Sequence, residues 1–166
     1  MRCSLNPLKT FIIAVVLFSG GTAHVTAQST IDQTEFPTPD VIACFKAVEP
    51  LSAHYRAEMQ VSCLGSAGDM CVVIDEGKRG CMYDLVTSMR EFYGKVAPLL
   101  PNQIEGNDLR ARRYELALPR LAETFANVPD CIDFSGYELS TCELIILGSA
   151  TADLLERARL AEVELP

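Results

Sequence analysis

Six cysteines, Cys44, Cys63, Cys71, Cys81, Cys131 and Cys142, constrain this chain more than any other feature of its sequence. An even set of this kind in an exported chain reads as up to three structural disulfides, with fifteen possible connectivities. Export is read from the start of the sequence. Arg2 and Lys9 precede an apolar stretch from Phe11 to Phe18, which gives way to the small and polar Ser19-Gly20-Gly21-Thr22-Ala23. This is the order of a secretory signal, and Val25-Thr26-Ala27 predicts cleavage after Ala27, with Ala23 as the second choice. The apolar stretch is shorter than the roughly 20 residues that span a bilayer. Cys3 lies before it rather than at its end, where a lipid-bearing cysteine would sit. The product is therefore expected to be soluble and free of transmembrane segments, in the periplasm or secreted.

Cleavage after Ala27 leaves 139 residues, the size of one domain. It also removes two basic residues and no acid, leaving twelve basic against 22 acidic residues, a balance of −10. A charge of this sign speaks against nucleic acid and anionic membranes as partners and favours a cationic protein. It also serves simply to keep a small exported protein in solution.

The polar segment 28–38 predicts a flexible leader, followed by a single helical domain over 39–166. Thr38 and Pro39 predict the cap of a short helix carrying Val41, Ile42, Phe45 and Val48, ended by Pro50. A second helix from Ser52 would bury Tyr55, Met59, Cys63 and Ala67, with Gly65 and Gly68 weakening its later part. A third, from Gly80 to Ala97, has the clearest period, with Met82, Leu85, Val86, Met89, Phe92, Tyr93, Val96 and Leu100 at three- and four-residue steps. Leu99-Leu100-Pro101 closes it. Asn107 predicts the cap of a fourth helix, with Leu109, Tyr114, Leu118, Leu121, Phe125 and Val128 on one side and a kink or break ahead of Pro119. Ser140 and Glu143 match a capping box, so the last helix is expected from there to Glu162, with Ile145, Ile146, Ser149, Ala152 and Leu155 inward and Asp153 beside Arg157. No alternating pattern long enough for a sheet occurs after the signal. The expected fold is all-α, a small disulfide-stabilised bundle of four to five helices.

These elements restrict the pairing of the cysteines. If the second helix reaches Cys71, then Cys63 and Cys71 lie eight residues or roughly 12 Å apart, too far for a mutual bond, which tolerates about 7 Å between Cα atoms. The polar turn Asp75-Glu76-Gly77-Lys78-Arg79-Gly80 can bring Cys71 to Cys81. Cys131 can join Cys142 across the link between the last two helices, which leaves Cys44 for Cys63.

Nothing in the sequence spells out a reaction, and no catalytic, cofactor or metal residue is assigned. His54 is the single histidine after residue 27, no cysteine pair has the C-x2-4-C spacing of a zinc site, and no C-x-x-C or G-x-S-x-G string occurs. Asp75-Glu76 reads as a solvated turn, and Gly65, Gly68, Gly77 and Gly80 form no phosphate-binding string. Arg110, Arg112, Arg113 and Arg120 make one basic patch on an acidic chain. Pairing with nearby acids is its expected role, and an anion contact is the alternative.

The run Cys63-Leu64-Gly65-Ser66-Ala67-Gly68-Asp69-Met70-Cys71, then Gly80-Cys81 and a long amphipathic helix, resembles the exported LprI-type lysozyme inhibitors. Cys131 after a helix and Cys142 ahead of Leu154 and Leu155 are similar in order to that family's two C-terminal cysteines, so the likeness covers about Cys63 to Leu155. Where the family carries W-D-x-x-L-N-x-x-Y this chain has Met89-Arg90, Tyr93-Gly94 and Ala97, which marks a divergent member. The resemblance implies a non-enzymatic binding protein for a cationic lysozyme-like hydrolase. The alternative is a structural or interaction protein of the cell envelope with no inhibitory role.

The cysteine reading has a direct chemical test. Thiol titration of the unfolded, unreduced protein from an oxidising compartment should find no reactive thiol, and two or more per chain would contradict three disulfides.

Overall fold

The periodic segments fold into five helices among the residues that a computed structural model of the chain describes, 37–75, 80–106 and 108–166. The expected signal peptide, most of the expected leader, the turn residues 76–79 and the expected cap Asn107 lie outside these. The chain divides into a unit of residues 1–31 and a unit of residues 32–166, and the helices belong to the second. They are α1, Val41–Val48; α2, Ala53–Asp75; α3, Gly80–Val96; α4, Asp108–Asn127; and α5, Gly136–Leu160, with 3-10 turns at Ala97–Leu99 and Pro129–Cys131. No strand occurs among the described residues.

Thr38 does not cap α1. Asp40 does, its carboxylate accepting the Ala43 amide at 2.8 Å, because it stands immediately before the first helical residue and can reach an otherwise orphaned amide. Helix α2 starts as expected, the Ser52 carbonyl accepting from the Arg56 amide at 2.9 Å. Its buried stripe differs from expectation: Tyr55 and Met59 are exposed, and Arg56, Cys63, Ala67 and Cys71 turn inward. Arg56 can take an apolar position because Glu49 and Glu156 meet its guanidinium at 3.1 and 3.6 Å, which compensates the loss of water around the charge. Gly65 and Gly68, each costing about 1 kcal/mol in a helix interior, do not end α2. Covalent bonds hold it on both sides of them, Cys44 to Cys63 and Cys71 to Cys81, with Cα separations of 6.0 and 5.2 Å.

Helix α3 follows its pattern closely. Met82, Leu85, Val86, Met89, Phe92 and Val96 are buried and form the centre of the core with Phe45, Leu147, Leu154 and Leu155. Tyr93 lies at the edge of this face and stacks on Phe125 of α4, with ring centroids 4.3 Å apart and planes 13° from parallel. In α4, Tyr114, Leu121, Phe125 and Val128 point inward while Leu109 is exposed. The expected break at Pro119 does not occur, and the helix is continuous through it. Pro119 is on the solvent side, where the carbonyl that its ring deprives of an amide can turn to water. Val128 ends the helix with φ of 41°, an unfavourable conformation for a β-branched residue that its burial helps to hold.

The largest departure concerns α5. It begins at Gly136, not at Ser140, and Gly136 has the positive φ of 58° that a residue without Cβ adopts at little cost. Ser140 is buried inside the helix, and its hydroxyl donates back to the Gly136 carbonyl at 3.4 Å rather than capping. Glu143 is instead the partner of Arg90, at 3.1 Å. The inward face is Leu144, Leu147, Gly148, Thr151, Leu154, Leu155 and Ala158, so Leu155 alone of the five expected residues is buried, while Ile145 and Ser149 are exposed. Gly148 sets the phase: a Cβ there would stand 2.3 Å from Leu64 Cδ2, so α2 and α5 approach closely at this point. Cys131–Cys142, with Cα atoms 5.8 Å apart, ties the α4–α5 link to the first turns of α5.

The assignment of α3 to the core gives a quantitative expectation. Phe92→Ala should lower the unfolding free energy by roughly 3–5 kcal/mol, and Lys95→Ala, on the exposed side, by less than about 0.5 kcal/mol. Equal effects in chemical denaturation would show the facing of α3 to be wrong.

Candidate functional site

Helix α2 is apolar on more than its inner face. Val61, Met70, Val72 and Val73 are exposed along it, Val61 at 71%, more than core packing against one side requires. Across from Val61 and Val72, α5 presents Ile145, exposed at 56%, because the phase set by Gly148 turns that side chain outward. Two clefts meet along this side. One, of about 380 Å³, lies between α2 and α5 and is lined by Val61, Leu64, Val72, Leu144 and Ile145 among others; its one charged lining residue is Asp69. The other, of about 470 Å³, lies against the start of α5 over Phe134, Tyr137, Cys142 and Ile146, and its one charged residue is Glu138. Tyr137, Thr141 and Ile145 line both, so the two form one continuous apolar surface whose lining, among the described residues, includes two carboxylates and no Lys or Arg. Such a surface can take an apolar projection from a partner while repelling anions and attracting cations around it.

The arginines of α4 fall elsewhere. Arg113 and Arg120 line a groove between α4 and α5, of about 520 Å³, together with Asp153 and Arg157 of α5. Arg157 and Asp153 form the expected pair, at 2.6 Å. The expected pairing does not extend to Arg113 and Arg120, which have no ion-pair partner among the described residues. Arg112 is exposed outside the groove lining.

The remaining candidates are placed as follows. His54 is exposed and stands 3.3 Å from Glu58 on the surface of α2. All six cysteines are bonded in pairs, 44 with 63, 71 with 81 and 131 with 142. Among the described residues no group of three or more His, Cys, Asp or Glu side chains is arranged to hold a metal ion, and no helix is long and apolar enough to cross a membrane. The α2–α5 cleft was not visible as a motif, because it joins two helices distant in sequence; the cleft at the start of α5 is lined by residues of 134–146 alone, and its residues carry no pattern apart from that of an ordinary helix. The high apolar content all round α2 was the one local signal. No family model, curated protein or solved structure matches the chain.

Tyr114 is the one buried acid–base group beside these surfaces. Its hydroxyl donates to the Pro101 carbonyl at 2.8 Å. Burial pushes the phenol above its ordinary value of about 10, against a smaller opposing effect of the Arg157 charge. A group whose pKa is raised on folding contributes stability below its unfolded pKa and loses it as pH rises through the folded value. Unfolding free energy should therefore decline above about pH 10, and Tyr114→Phe should flatten that decline while costing roughly 1 kcal/mol at neutral pH for the lost hydrogen bond. Parallel alkaline slopes in denaturation from neutral pH upward would contradict this.

Proposed function

We propose that the chain is an exported, non-catalytic binding protein that docks a cationic protein on the α2–α5 surface. The observation that carries this reading is the continuous apolar surface whose charged lining among the described residues is Asp69 and Glu138. Patches of exposed apolar residues on small proteins commonly mark interaction sites, and the sign of the border selects among partners. The excess of acid over base in the whole chain acts in the same direction at longer range. Three disulfides suit a protein that works in an oxidising compartment, and the periplasm is the compartment we favour. A lysozyme-like cell-wall hydrolase is the partner implied by the resemblance over Cys63 to Leu155.

A second reading, an envelope interaction protein without inhibitory activity, is favoured by the position of Met89 and Val96. Both are fully buried, so the segment aligned with the family's W-D-x-x-L-N-x-x-Y string presents much of itself to the core rather than to a partner.

Binding kinetics against a basic lysozyme, together with its lytic activity, decide between these. Association should slow as salt rises, because exposed charges are screened beyond about 10 Å at roughly 0.1 M ionic strength, while dissociation should change little. Ile145→Ser combined with Val61→Ser should weaken binding at least about tenfold by removing apolar contact, and Asp69→Asn with Glu138→Gln should act mainly on association. Absence of binding at low salt and micromolar protein removes lysozyme as the partner. Binding without loss of lytic activity would establish the non-inhibitory reading instead.

A further inference from the structure

The groove between α4 and α5 carries a chemistry opposite to that of the α2–α5 surface. Its floor is apolar, formed by Ala117 and Leu121 of α4 and by Ile146 and Ala150 of α5, and Leu116 stands at its edge exposed at 52%. Asp153 and Arg157 neutralise each other within it. The guanidinium groups of Arg113 and Arg120 remain, giving the groove a net positive charge on a chain whose formal charge is −8. We propose that this groove binds a fatty-acid anion, its acyl chain lying on the apolar floor and its carboxylate held by one of the two unpaired arginines.

The geometry excludes simpler occupants. Arg113 and Arg120 are seven residues apart on one helix, or roughly 10.5 Å, and both are exposed, so a small inorganic anion between them would compete with water and gain little. One guanidinium is matched in shape and charge by a single carboxylate, which accepts two parallel N–H bonds. A volume of about 520 Å³ falls in the range of small-ligand sites, roughly 300–1,000 Å³. A neutral amphiphile would leave the groove's positive charge uncompensated, and a fatty-acid carboxylate compensates one of the two guanidinium groups. The second arginine attracts the anion without gripping it.

Isothermal titration with dodecanoate below its micellar concentration tests the proposal. One saturable site is expected, with dodecyl maltoside and acetate each at least about tenfold weaker, because one lacks the charge and the other the chain. Arg113→Gln with Arg120→Gln should weaken dodecanoate at least about tenfold, and Ala117→Phe should block it by filling the groove, with the helical circular dichroism of each variant unchanged. Ile145→Ser, on the other surface, should leave it unaltered. This makes failure here distinguishable from failure of the docking role. The proposal is overturned if dodecanoate does not bind, if dodecyl maltoside binds as well, if the double Gln variant or the filled groove retains full affinity, or if an acidic amphipathic peptide occupies the groove where dodecanoate does not.

Discussion

Helix α2 is joined covalently to both of its sequence neighbours, and much of the structure depends on this. Its middle holds two glycines, and its apolar residues are spread around the axis rather than gathered on one side. Propensity and amphipathic packing alone would hold such a helix poorly. The bonds from Cys63 to α1 and from Cys71 to α3 close segments of 19 and 10 residues, and each constrains the unfolded chain by an amount on the order of 2–4 kcal/mol. Because α2 is fixed in this way, it can leave Val61, Val72 and Val73 in water. Exposure of that kind is available to a binding surface and costs a weaker helix its reason to fold.

How far the sequence foretold this differs from element to element, for physical reasons. Helix α3 was legible because its apolar residues obey one period and lie between polar ones. The cysteine pairing was legible because the rise of α2 excludes a bond between Cys63 and Cys71, while the turn after α2 and the link before α5 each bring two cysteines together and leave Cys44 for Cys63. Helix α5 was not legible in phase: Leu144, Ile145, Ile146 and Leu147 are consecutive apolar residues, and the inward face also includes Ser140 and Thr151, whose hydroxyls return to the carbonyls four residues earlier. Polar side chains satisfied within their own helix do not register as core in a hydropathy pattern. Ser140 and Glu143 imitated a capping box for the same reason, since the spacing of a cap also occurs inside helices. Arg56 shows the converse, a charged residue buried because two carboxylates, Glu49 just after α1 and Glu156 of α5, flank it.

The two surfaces proposed for binding share α5 and lie on different sides of it. Towards α2 the charged residues are carboxylates, Asp69 of α2 and Glu138 of α5 itself, and towards α4 the neighbouring helix contributes guanidinium groups. Ile146 lines both the α4 groove and the cleft at the start of α5, and Ser149 lines both the α4 groove and the α2 cleft. A net charge therefore describes this molecule poorly. The acidic excess is interrupted by one cationic strip, and an occupant on either side of α5 touches residues that the other also uses.

The six cysteines from Cys44 to Cys142 are paired strictly in order along the chain, 44 with 63, 71 with 81 and 131 with 142. A chain that emerges from a ribosome or a translocation channel with its N-terminus leading exposes each correct partner before the next cysteine arrives. An oxidant that joins thiols as they come into view would reach the native topology by vectorial synthesis alone, without reshuffling. No bond encloses another, so the register of each is decided within its own stretch of nascent chain. Where oxidation keeps pace with emergence, a topology of this kind needs no disulfide isomerase, and yield would be governed by the rate of oxidation relative to the rate of emergence.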